Sequence, residues 1–182
     1  TAFPPLETMT YLNTAAEGLP RSSGVEALQR YWADKQRGMS GRDALFEELE
    51  MCRDSAASLL GLSAAEVSFC SCSSEAFNLL ASALDLNAGD EVVITDLEFP
   101  SGATPWQRSA AGPAVKLWKN RQGVLDLNDL RELLNENTRL VQISLVSFLT
   151  GYRVEWAPLR DMVRAMAPNA ILSVDVTQAA GR

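Results

Sequence analysis

The chain of 182 residues contains no histidine. That absence excludes Ser-His-Asp and Cys-His catalysis within it, and zinc sites ligated by histidine. Proton chemistry carried by these residues must use carboxylates, lysine, tyrosine, cysteine or a cofactor. Cysteine is scarce as well. Cys52, Cys70 and Cys72 make no disulfide framework, and no metal site is expected. A reducing, cytoplasmic setting is the expectation. Basic stretches are missing, and the net charge is -7. Nothing here neutralises phosphates along a strand, so a nucleic-acid partner is not expected; the acidity serves solubility. No run approaches the roughly 18 apolar residues of a membrane span, so no membrane partner is expected either. The opening TAFPPLETMT lacks the basic and apolar regions of a secretory leader. There is no GxGxxG and no Walker lysine, which argues against a nucleotide-binding α/β protein.

What is present is enough apolar mass for a sizeable core: 47% of residues are hydrophobic and 21% charged. Residues 24–37 and 43–60 read as helices, the second closed by Gly61. These first 60 residues form a helical arm or packing layer. VSFCS (67–71) reads as a strand. A helix follows over 74–84, then the buried strand EVVIT (91–95) and a helix over 102–110. AVKLW (114–118) is a strand, and LNDLRELL (127–134) is a helix opened by Asp126. RLVQISLVS (139–147) is the longest β-branched apolar run; a helix over 157–166 and the strand ILSVDV (171–176) complete the series. Five strands alternate with helices, and their continuous apolar character means that both sheet faces are covered. The fold class is therefore α/β: a mostly parallel sheet in a three-layer α/β/α arrangement.

Ligands of such sheets bind beyond the carboxyl ends of the strands. Three segments there can carry chemistry. In FCSCSSEAFN (69–78), Ser73, Ser74 and Glu75 open a helix, where free N–H groups favour an anion. Plain helix capping by Ser73 or Ser74 explains the same pattern. In TDLEFPSGATPW (95–106), Phe99 follows a buried strand, either as a core residue or as a ring lying over a planar ligand. In SVDVTQAAGR (173–182), Asp175 stands within an apolar strand and needs a cation or a hydrogen-bond partner. Gln178, three residues on, can reach the same ligand.

These segments, in this order, resemble the class V aminotransferases, the group that contains cysteine desulfurases, selenocysteine lyases and isopenicillin-N epimerases. FCSCSSEAFN is similar to the family's F-T-S-G-A-T-E-A-x-N. Supporting likenesses are YLNTAAEG (11–18), GDEVVITDLEFPS (89–101), TRLVQISLVSFLTG (138–151) and VDVTQAAG (174–181). The resemblance implies a pyridoxal 5'-phosphate (PLP) enzyme acting on an amino acid, with residues 61–182 in its large cofactor-binding domain. By position, Ser73 and Ser74 would bind the cofactor phosphate and Phe99 would stack on the pyridine ring. Asp175 would pair with the protonated ring nitrogen and is the catalytic residue implied. Gln178 would hydrogen-bond the ring oxygen, and Val176 would pack beneath the ring. A homodimer is implied too.

The chain departs from the family pattern in several places. Phe99 stands where cysteine desulfurases carry a histidine, Phe148 where asparagine is usual, and Cys72 where the phosphate turn has glycine. This favours epimerase-like or lyase-like members. The family's cofactor-holding lysine lies in an S-x-H-K segment beyond VDxxQA, whereas Lys35, Lys116 and Lys119 all precede that motif. The resemblance thus implies a longer natural protein. A non-catalytic relative without activity is the alternative.

Overall fold

A computed structural model describes residues 1–107 and 112–181. The chain divides into two compact units, Thr1–Phe69 and Cys70–Arg182. The first holds helices α1 (Ser23–Gln36) and α2 (Arg42–Leu60), with short 3-10 turns before, between and after them. α2 stops at Gly61, whose φ of 69° places it in the left-handed region that a residue with a Cβ resists. Little of this unit is buried: α1 buries none of its residues and α2 only Ala57.

The second unit runs α3 (Ser73–Leu84), β1 (Glu91–Thr95), α4 (Pro100–Ala103), β2 (Ala114–Trp118), α5 (Leu127–Leu133), β3 (Thr138–Ser144), α6 (Trp156–Met166) and β4 (Ile171–Asp175). The four strands are parallel, in the order β2-β1-β3-β4. Side chains alternate across the sheet, as the pleat dictates. Val92, Ile94 and Leu140 point to one face, where Trp106 lies with Leu80, Ala81 and Leu84 of α3. Val93, Val141 and Ile143 point to the other, against Leu130 of α5 and Leu159 and Val163 of α6. Trp118 belongs to this second layer and donates its indole N–H to the Asp126 carbonyl, 2.9 Å away. Helices cover both faces, so the middle strands carry apolar side chains on each side.

Two expectations change. The stretch 67–71 forms no strand. Val67 is extended, but a strand exists only through a hydrogen-bonded ladder, and the Val67 carbonyl instead accepts from the Arg53 guanidinium. Cys70 and Cys72 are both exposed. The helix expected over 102–110 begins earlier, at Pro100, which suits a first helical turn, and passes into a 3-10 turn over Thr104–Gln107. Residues 108–110 of that expectation lie outside the described residues, as does Arg182.

The strand order fixes where a site can form. From β1 the chain crosses to β2 on one side; from β3 it crosses to β4 on the other. The turns after β1 and β3 therefore part and leave a crevice at their carboxyl ends, the position at which parallel sheets hold ligands.

Candidate functional site

The turn after β1 enters this crevice. Thr95 accepts the Leu97 N–H at its hydroxyl and so bends the chain at once. Glu98 then points inward, and Phe99 points outward, 46% exposed. Phe99 is therefore not a core residue. Its ring meets Phe148, from the turn after β3, edge to face at 5.0 Å with an 82° interplanar angle. One ring face in such a pair is left for a third partner.

Ser101 is buried in α4, and its hydroxyl lies 3.1 Å from that of Ser73, the first residue of α3. The α3 N-cap is Cys72, in extended conformation, and no side chain caps the helix. Neither Ser73 nor Ser74 takes the cap position. The first-turn donors instead converge on Cys72: the Glu75 backbone N–H, and then the Ser71 hydroxyl, hold its thiol below the ordinary range. The Glu75 carboxylate turns back onto the Ser71 hydroxyl and N–H, at 2.7 and 2.6 Å, and these contacts hold it below the usual carboxylate range. This helix end gathers hydroxyls and N–H groups, as an anion requires.

Asp175 ends β4 in register with Ser144 of β3. It is half-buried, and its Oδ1 accepts the Thr177 N–H at 2.8 Å. Among the described residues it has no ion-pair partner. Val176 is exposed and begins a turn in which its carbonyl accepts from Ala179 and Ala180; Gln178 lies in that turn, half-buried. Asp175 connects to the turn that carries Phe99 through Ser144 and Glu98.

Sequence reasoning missed Glu98, Ser101, Gln142 and Ser144. Glu98 is buried, and its carboxyl meets Thr95, Gln142 and Ser144. Burial pushes its pKa up, and the negative charge of Asp175 pushes the same way, against the pull of the Ser144 N–H and the Gln142 amide. A signal existed: Gln142 interrupts an otherwise apolar strand, and a buried amide calls for a polar partner. Of the lysines, Lys116 is engaged by Glu91 at 2.6 Å and by the Leu133 carbonyl at 3.1 Å. Among the described residues no cluster of acidic or cysteine side chains is arranged to hold a metal. Among the described residues no helix is long and apolar enough to cross a membrane.

The chain is similar to known proteins in sequence and fold. The model of the family described as aminotransferase class-V matches residues 10–182. A cysteine desulfurase of Yersinia pseudotuberculosis is 27% identical over 186 residues, covering 95% of this chain and 45% of that protein. The apo structure of a cysteine desulfurase from Thermococcus onnurineus NA1 superposes with a TM-score of 0.82 at 26% identity, over 96% of this chain and 45% of that one. A mutant of the lyase C-DES, solved with glycine covalently linked to its PLP cofactor, gives a TM-score of 0.89 at 21% identity over 99% of this chain and 50% of its own. The chain thus spans about half the length of the relatives it matches.

Proposed function

This chain belongs to the class V aminotransferase family, and on that premise we propose that it is the cofactor-binding part of a PLP enzyme acting on an amino acid. One observation carries the reading. Asp175 ends a half-buried strand without a cationic partner among the described residues, at the same sheet edge as the α3 donors and the exposed Phe99 ring. The residues fit the group. A carboxylate so placed calls for a buried positive charge, which a protonated pyridine nitrogen supplies. An uncapped helix start with two serine hydroxyls suits a phosphate.

When bound, PLP supplies an electron sink for breaking a bond at the α-carbon of an amino acid. The remaining work falls to this chain. Ser73 and Ser74 would hold the phosphate with hydroxyl and N–H donors, with Ser101 fixing the Ser73 hydroxyl. Phe99, propped by Phe148, would cover one ring face and exclude water. Asp175 would keep the ring nitrogen protonated, its own orientation set by the Thr177 N–H. Gln178 would bond the ring oxygen. Phe99 stacks but moves no proton, which favours an epimerase-type or lyase-type reaction over cysteine desulfuration. The lysine that holds the cofactor is assigned to the part of the family's length these residues do not span, since Lys116 is committed to Glu91.

Borohydride reduction of the whole protein tests this. Intact mass should then show one phosphopyridoxyl group per chain, and an unmodified mass from protein saturated with PLP would sink the proposal. A homodimer belongs to the same reading, supported by the exposed Leu28, Phe46 and Leu59 of α1 and α2. Light scattering of the whole protein should return twice the chain mass; a single-chain mass would contradict it.

A further inference from the structure

We propose that Glu98 is a positioning residue: its buried side chain clamps the turn after β1, which carries Phe99 and Ser101, to the end of β3, beside Asp175. The inference rests on the cofactor reading above. Glu98 is 9% exposed, although it lies in a turn. Its Oε1 accepts the Ser144 backbone N–H and the Thr95 hydroxyl, the latter at 3.3 Å. Its Oε2 lies 3.2 Å from the Ser144 hydroxyl and 3.4 Å from the Gln142 amide nitrogen. One carboxyl group thus joins both central strands exactly where their turns diverge. Phe99 follows it directly, and Ser101 comes two residues later.

The space around the clamp is closed. A Cβ on Gly102 would meet Glu98 Oε2 at 3.0 Å and the Gln142 amide nitrogen at 3.3 Å. A side chain there would push the pair aside by a few tenths of an ångström.

The carboxyl does this from a buried position. The Gln142 amide oxygen, also fully buried, accepts no hydrogen bond among the described residues. Burial at this point disfavours the charged form of the carboxyl. The charges around it act in the same sense. α4 carries no ionisable group, and the one cation of β3, Arg139, is paired with Asp90 at that strand's opposite end. On Glu98's own turn, Asp96 accepts the Asn120 N–H. Asp175 of β4 faces Glu98 as a second carboxyl group, so a charge on Glu98 would oppose one on Asp175.

The test compares Glu98→Gln with Glu98→Ala in the whole protein, with PLP as the probe. Glutamine keeps the shape and stays neutral; alanine removes the clamp. We expect Glu98→Gln to bind PLP within about twofold of wild type, and Glu98→Ala to bind it about tenfold more weakly or worse. A second readout is stability against pH, without cofactor. Because the folded-state pKa of Glu98 is raised, the folded chain holds a proton that the unfolded chain releases above the ordinary glutamate value. Its contribution is fully present below that value and is lost as pH rises through the folded pKa. Wild type should therefore lose stability relative to Glu98→Gln across that window. Equal PLP binding by wild type and Glu98→Ala would overturn the positioning role alone, as would parallel stability profiles for wild type and Glu98→Gln. Wild-type protein that takes up no PLP overturns the cofactor reading, and the positioning role with it. Should Glu98→Ala not fold, Glu98→Asp, one methylene shorter, takes its place.

Discussion

Replacing Asp175 by alanine should lower turnover of the whole protein by roughly 10²–10³-fold, the range for losing one preorganised charge contact in a catalytic site. The loss should appear with the fold intact. β4 is held by its ladder to β3, from Leu140↔Ile171 to Ser144↔Asp175, and the Leu145 N–H bonds the Asp175 backbone carbonyl at 2.9 Å. None of these bonds uses the carboxylate. The side chain's one local duty is to accept the Thr177 N–H. Asp175→Asn keeps that acceptor and removes the charge, so it separates the two roles. Turnover should be as low in the asparagine variant as in the alanine one if charge is what matters. Circular dichroism guards against unfolding, and near-wild-type turnover in either variant would remove Asp175 from the catalytic role.

The largest effect on stability is expected at Trp118. The side chain is fully buried in the layer formed with α5 and α6. Trp118→Ala deletes the whole indole and leaves a cavity that the surrounding Leu125 and Leu130 cannot fill, at a cost of about 3–5 kcal/mol. It also strips the Asp126 carbonyl of its donor. Trp118→Phe retains most of the volume and loses chiefly that bond, about 1 kcal/mol. Urea denaturation should show the midpoint falling steeply in the alanine variant and slightly in the phenylalanine one, with similar slopes. An alanine variant as stable as wild type would mean that this layer does not bear the fold's stability.

The regular elements were largely legible in the sequence. EVVIT, AVKLW and ILSVD form the strands their β-branched runs announce, and the helix over 157–166 starts only one residue earlier. Continuous apolar character also announced a parallel sheet, because a strand covered on both faces has no reason to alternate. The segment 67–71 misled for the same reason. Its residues favour an extended chain, but pairing depends on a neighbour that local composition does not report. Of the site, the segments at the strand ends could be read, since they interrupt apolar runs. The network behind them could not. Glu98 and Ser144 stand 46 positions apart, and only the register of β1 against β3 brings them together. The N-cap position was also misplaced: Cys72 occupies it in extended conformation, with no side-chain capping bond to announce it.

The split of aromatic side chains between the two layers makes the protein its own optical reporter. Its four tryptophans divide evenly: Trp106 and Trp118 are 4% and 0% exposed, Trp32 and Trp156 65% and 40%. An aqueous quencher such as iodide reaches the latter two and spares the former. The emission that survives comes from one indole on each face of the sheet. Changing Trp106 or Trp118 singly then assigns that remaining light to a face, so loosening of the α3 side can be followed apart from loosening of the α5 and α6 side.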